Sequence, residues 1–93
     1  MNTYLSNNLV RIFTAVTQSI GGAPIDPTTV TCKMQTPDGN ITDLSTSIVH
    51  DSTGNFHVDY LPTQLGVHTY EWIGTGVAQV ASIGQFMIID VIF

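Results

Sequence analysis

Charge is scarce in this sequence. Two of the 93 residues are Lys or Arg and seven are Asp or Glu, which gives a formal net charge of −5. Charged residues make up 10% of the chain, against about 25% in ordinary soluble domains. Nucleic-acid affinity comes mainly from many basic side chains that neutralise phosphates. Arg11 and Lys33 cannot form such a surface, so the composition argues against nucleic acids and anionic membranes as partners.

Cysteine is nearly absent as well. The single Cys32 excludes an internal disulfide and a cysteine metal cluster. It alternates with Val30 and Met34 in an apparent strand. This position predicts a small buried hydrophobe rather than a reactive thiol.

Targeting and membrane-spanning signals are also missing. The first ten residues have neither a basic region nor an apolar run, so no signal peptide is expected. The apolar end of the chain, residues 77–93, is interrupted by Gln79, Gln85 and Asp90. A spanning helix needs about 20 mostly apolar residues, so this end predicts a strand and a tail.

What the sequence does contain is period-2 alternation, with no helical periodicity. Turn signals such as Pro37-Asp38-Gly39-Asn40 recur between alternating segments. We predict an all-β fold, a single immunoglobulin-like antiparallel β-sandwich of about seven strands. An up-and-down barrel and an OB-fold are the structural alternatives. The predicted organisation is an N-terminal arm (1–8), the sandwich (9–89) and an apolar C-terminal tail (90–93).

Aromatic residues are concentrated between residues 54 and 74. In the two alternating strands there, Phe56 and Tyr60 share a side with Val58, and Tyr70 and Trp72 share a side with His68. We interpret these four rings as the nucleus of the core. Gly84, in the middle of the last strand, predicts a bulge or a close approach of another group to the backbone.

Several segments together resemble a known family. They are V-R-I-x-x-A-V-T from Val10, G-x-P-I-D-P-T-T-V-T from Gly22, a P-D-G turn, D-x-T-G-x-F-H-V-D from Asp51 and L-G-x-H-x-Y-x-W-x-G-T-G from Leu65. In this order they resemble the small immunoglobulin-like proteins encoded among the virion structural genes of tailed bacteriophages and prophages. The resemblance runs from Val10 to Phe86. It implies virion assembly or stabilisation, in particles assembled in the host bacterial cytoplasm, and no catalysis.

Candidate chemical sites are few. The carboxylates of Asp43, Asp51 and Asp59 lie on separate elements, and no G-x-S-x-G elbow is present, so we predict no enzyme. His57 and Asp59 share a strand face and could reach one metal ion, but an outward polar pair explains them better. His68 is expected to be a buried, hydrogen-bonded histidine. No metal or other cofactor is predicted.

Apolar residues without a predicted place in the core are more informative. A contiguous apolar patch usually marks an interface. We predict a partner interface formed by Tyr4, Leu5, Phe13, Met87, Ile89, Val91, Ile92 and Phe93. The alternative is a last strand that is buried on both sides within one subunit.

The expected function follows from the resemblance and from these residues. We expect a non-enzymatic capsid decoration or cement protein that binds the major capsid protein, where a lattice of copies strengthens weak contacts. Homo-oligomers are also allowed. The alternatives are a neck or tail component and a carbohydrate-binding or adhesion module.

Overall fold

The computed structural model describes residues 2–18 and 22–90. They form strands joined by turns, with one short 3₁₀ helix, Ser45–Ser47. The strands are β1 (Asn2–Leu5), β2 (Val10–Ala15), β3 (Thr29–Gln35), β4 (Ile41–Asp43), β5 (Val49–Ser52), β6 (Asn55–Tyr60), β7 (Gly66–Thr75) and β8 (Val80–Ile89).

The strands form two sheets that pack as a sandwich. One sheet has the order β1-β8-β7-β3-β4 and the other β2-β6-β5. Strands β2 to β8 are divided between the two sheets as in immunoglobulin-like domains, in which Greek-key connections lead the chain from one sheet to the other. The predicted all-β sandwich is therefore confirmed. The described strands lie in two separate sheets, which argues against the barrel alternatives.

Part of the predicted N-terminal arm belongs to the sandwich. Asn2–Leu5 form β1, which pairs in parallel with β8 from Phe86 to Ile89. The five-stranded sheet is therefore mixed, and the prediction of a purely antiparallel sandwich needs this correction. Ser6 extends the pairing, since its N–H donates to the Ile89 carbonyl over 2.8 Å. The polar composition of this segment did not indicate a strand. Backbone hydrogen bonds, which composition does not report, hold it to β8.

The inward side of each strand follows the predicted alternation. In β2, buried and exposed residues alternate strictly from Val10 to Ala15. Trp72 and Phe56 are buried as predicted, whereas Tyr60 and Tyr70 are half-buried and pack against the core from its edge. Trp72 lies directly opposite Cys32 in the β3–β7 register. The largest fully buried side chains are Trp72, Phe86, Met34, His68, Val10, Val58 and Cys32.

Gly84 provides the close approach that the sequence predicted. It lies opposite Tyr70 in the β7–β8 register. A Cβ at Gly84 would come within 2.3 Å of the Tyr70 ring and hydroxyl. The phenol ring therefore covers the backbone of β8 at a position where a side chain would collide with it.

Trp72→Ala is expected to remove a large part of the free energy of unfolding. Losing a buried aromatic side chain of this size costs about 3–5 kcal/mol, and small domains are stable by about 5–15 kcal/mol. Chemical denaturation followed by circular dichroism measures the loss. Phe13→Ala is the matched control, because Phe13 is 73% exposed and should cost less than about 0.5 kcal/mol. Equal midpoints for Trp72→Ala and the native chain would contradict the core assignment.

Candidate interaction surface

The outer face of the five-stranded sheet carries a continuous apolar group at one end. Leu5 pairs with Ile89, and Val67 pairs with Met87. Directly opposite residues in a sheet point to the same side, so these four side chains adjoin one another across three strands. Leu5 is 49% exposed and Ile89 43%. We call Leu5, Val67, Met87 and Ile89 the apolar end of this face.

A second apolar group lies toward the other end of the same face. Ile83 is 70% exposed and Ile41 61%. Both line a shallow cavity of about 230 Å³, together with Lys33, Thr69 and Glu71. Lys33 and Glu71 interrupt the face at this cavity, so the uncharged apolar end favours contact with another macromolecule more than this cavity does.

The predicted interface residues separate into distinct locations. Leu5, Met87 and Ile89 come together at the apolar end. Tyr4 does not join the apolar end, because its half-buried side chain points inward and its ring lies edge-on to Phe86 with centroids 6.0 Å apart. The alternation within β1 explains this, since Tyr4 and Leu5 point to opposite faces.

The other predicted interface residues do not join the apolar end. Phe13 lies on the outer face of the three-stranded sheet, where it pairs with His57. Val91, Ile92 and Phe93 lie outside the described residues. The prediction omitted Val67, Ile41 and Ile83, although strand alternation placed Val67 on an outer side.

The outer face of the three-stranded sheet is ionic by comparison. Arg11 binds Asp59 through two hydrogen bonds, of 2.8 Å from Nε and 3.0 Å from Nη2. His57 Nδ1 lies 2.6 Å from Asp51 Oδ2, and its Nε2 lies 3.9 Å from Asp59 Oδ2. His57 and Asp59 thus share a face as predicted, but the His57 side chain is only 10% exposed.

The histidines and carboxylates of the described residues do not gather into a metal-binding group. Within residues 2–18 and 22–90, no three His, Cys, Asp or Glu side chains are arranged to hold one metal ion. The described hydrogen bonds of the three imidazoles lead to carboxylates or to a backbone carbonyl. Cys32 is buried, and burial raises the pKa of its thiol to about 11, which disfavours the reactive thiolate.

Three carboxylates support turns and strand pairs. Asp38 accepts hydrogen bonds from Thr36, the Asn40 backbone and Gln64, with Thr36 the main cause of its lowered pKa. The Ser45 hydroxyl and backbone lower the pKa of Asp43, and the hydrogen bond from Arg11 lowers the pKa of Asp59. Each carboxylate is thus stabilised in its charged form in the folded protein.

Stability should consequently fall in acid. A carboxylate whose folded pKa is depressed contributes stability above its unfolded pKa, and the contribution is lost as pH falls through the folded pKa. The unfolded value is near 3.8, so we expect the melting temperature to decrease between about pH 5 and pH 2. Differential scanning calorimetry at stepped pH measures it. Asp38→Asn should flatten the decrease, and an unchanged slope would argue against this role of Asp38.

His68 is a buried histidine with one unpaired nitrogen. It is 0% exposed, and its ring stacks on Phe86 with centroids 5.0 Å apart and planes 5° from parallel. Its Nδ1–H donates to the Gly66 carbonyl over 3.3 Å. Nε2 has no hydrogen-bond partner among the described residues. The predicted burial is confirmed, whereas the expected hydrogen bonding is only half met.

His68→Phe should leave the domain folded, with a free energy of unfolding within about 1 kcal/mol of the native value. The substitution keeps the stacked ring and removes the unpaired Nε2, and this gain opposes the loss of the hydrogen bond from Nδ1 to the Gly66 carbonyl. Urea denaturation measures the change. His57→Phe is the comparison, and it should be destabilising because it removes the hydrogen bond to Asp51. A marked loss of stability in His68→Phe would show that the imidazole is needed.

Comparison of the chain with protein-family models and with curated proteins gave no match. In the part of the chain that the structure describes, no helix is long and apolar enough to cross a membrane.

Proposed function

We propose that this protein is a non-enzymatic structural component of a tailed-phage virion, a decoration or cement protein that binds the major capsid protein. The observation that carries the proposal is the apolar end of the five-stranded sheet. The resemblance of the motifs to virion-encoded immunoglobulin-like proteins supplies the biological setting. The site of action would be the virion, assembled in the bacterial cytoplasm.

Energetics support docking through this face. Fully burying an exposed apolar side chain of this size contributes about 1.5–3 kcal/mol, and about half of that remains available for Leu5 and Ile89, which are 49% and 43% exposed. Leu5, Met87 and Ile89 together would offset a substantial part of the cost of association. Repetition over a capsid lattice would then strengthen a contact that is modest for one copy.

Among the alternatives, a neck or tail component would use the same face against a different virion protein. A carbohydrate-binding module has less support, because such sites stack sugars on exposed aromatic rings. Here Trp72 is fully buried, and Tyr60 and Tyr70 pack against the core. Phe13 is the exception, being 73% exposed beside Arg11 and Asp59.

Incorporation into particles tests the proposal. Met87→Lys and Ile89→Lys, each introduced into the phage that encodes the chain, should reduce the copies per purified particle at least tenfold. Each variant would place a charge in a buried contact, and a loss of about 1.4 kcal/mol is already tenfold. Quantitative mass spectrometry of purified particles, normalised to the capsid protein, gives the copy number.

Phe13→Lys is the matched control, since it adds the same charge to the opposite outer face. It should be incorporated normally, and all three variants should melt like the native chain. Normal incorporation of both β8 variants would overturn the proposed surface. If only Phe13→Lys reduced incorporation into particles, the contact would lie on the three-stranded sheet instead. Absence of the native chain from particles would overturn the virion role itself.

A further inference from the structure

Half of strand β8 has no neighbour on one side. β8 runs from Val80 to Ile89, but β1 pairs only with Phe86–Ile89. Residues Val80–Gln85 pair with β7 on one side, and no described strand pairs with their other side. We call Val80–Gln85 the free β8 edge.

The backbone groups on this edge can be assigned. The Ile89 carbonyl accepts from Ser6, so it points toward β1. Backbone groups of successive residues in a strand alternate in direction, and the β7–β8 register is regular from Val80 to Ile88. The N–H and C=O groups of Ala81, Ile83 and Gln85 therefore point away from β7. The parallel Asn2–Phe86 pair uses the Gln85 carbonyl as an acceptor for β1, whereas no described strand pairs with the N–H and C=O groups of Ala81 and Ile83.

The outermost strands of the two sheets carry features that discourage strand addition. Short strands, charges and bulges are the usual protections. β4 has three residues and contains Asp43, and β1 has four. β5 contains Asp51 and an irregular register between His50 and Ser52, while β2 carries Arg11.

The free β8 edge has none of these protections. Its sequence, VASIGQ, has no charge and no proline. It also adjoins an open depression of about 510 Å³ lined by Asn2, Tyr70, Ile83, Gly84 and Gln85. An added strand would therefore find space for its inward side chains.

We infer that the free β8 edge pairs with the same edge of a second copy, antiparallel about a two-fold axis. Antiparallel self-pairing is isologous, which means that both copies use the same edge. Each edge then supplies the backbone hydrogen-bond partners that the other lacks. Charge favours this edge for self-association. Each copy carries a net charge of −5, and an uncharged edge lets two acidic subunits meet without placing like charges opposite each other.

One register fits the space left by β1. If Ser82 lies opposite Ser82 of the second copy, the backbone groups of Ala81 pair with those of Ile83 in the other subunit, and the reverse. Pairing then ends before Phe86, where β1 begins. Gly84 would face Val80 of the second copy on the inner side, at the depression beside Tyr70.

The pairing would join two five-stranded sheets into one continuous sheet. A two-fold axis perpendicular to the sheet keeps both outer faces on the same side. The two apolar ends would then face a partner together, which is the geometry that bivalent binding requires. The self-pairing itself does not depend on the proposed virion role.

Analytical ultracentrifugation of the purified chain tests the inference. The contact is only about 20 Å long at about 3.3 Å per residue, so we expect a weak dimer that forms as the concentration rises from about 5 to about 500 µM. Hydrogen exchange should show slower exchange of the Ala81 and Ile83 amides at the higher concentration.

Ile83→Pro removes the edge N–H and should lower the dimer association constant at least tenfold. Ile83→Thr keeps the N–H while shortening the side chain, so it should still dimerise. Thr69→Lys adds a charge to the outer face away from the edge and should dimerise normally. Circular dichroism establishes that each variant is folded.

Three results would overturn the inference. They are a monomeric native chain throughout the concentration range, unchanged dimerisation of folded Ile83→Pro, and loss of dimers in Thr69→Lys with retention in Ile83→Pro. The last result would place self-association on the outer face. None of these measurements involves phage particles, so their failure is separate from failure of the proposed virion role.

Discussion

The pairing of β7 with β8 is the constraint on which the rest of the structure depends. Its register runs unbroken from Gly66–Ile88 to Gly74–Val80. A slip of one residue would exchange the inner and outer faces of a strand. This register holds His68 and Trp72 in the core and turns Met87 outward. The apolar end of the face and the stacked aromatic core are therefore two sides of the same pairing.

The two outer faces of the sandwich have different chemistry. On the three-stranded sheet, Arg11 pairs with Asp59, and His57 hydrogen-bonds to Asp51. On the five-stranded sheet, apolar side chains adjoin across β1, β8 and β7. A contiguous apolar surface is stabilised when a partner covers it. This contrast, rather than any single residue, is why the proposed docking surface is the five-stranded face.

Because the chain has few charged residues, only some of its strand edges can be protected by charged side chains. Natural sheets commonly protect their edges with charged side chains, and this chain has few to distribute. Those it has protect β2, β4 and β5, whereas β8 is covered over only part of its length. The short β1 therefore both completes the sheet and leaves part of it open.

The sequence by itself determined the fold class and which side chains of most strands face inward, because period-2 alternation is a local property of each strand. The burial of Trp72 and the outward direction of Met87 and Ile89 could be predicted on that basis. Only the tertiary structure decided that Asn2–Leu5 join β8, that Tyr4 turns inward and that His57 is covered. The tertiary structure also leaves His68 Nε2 without a hydrogen-bond partner among the described residues. These features depend on which distant strands become neighbours, and strand pairing is a non-local choice that no single segment encodes.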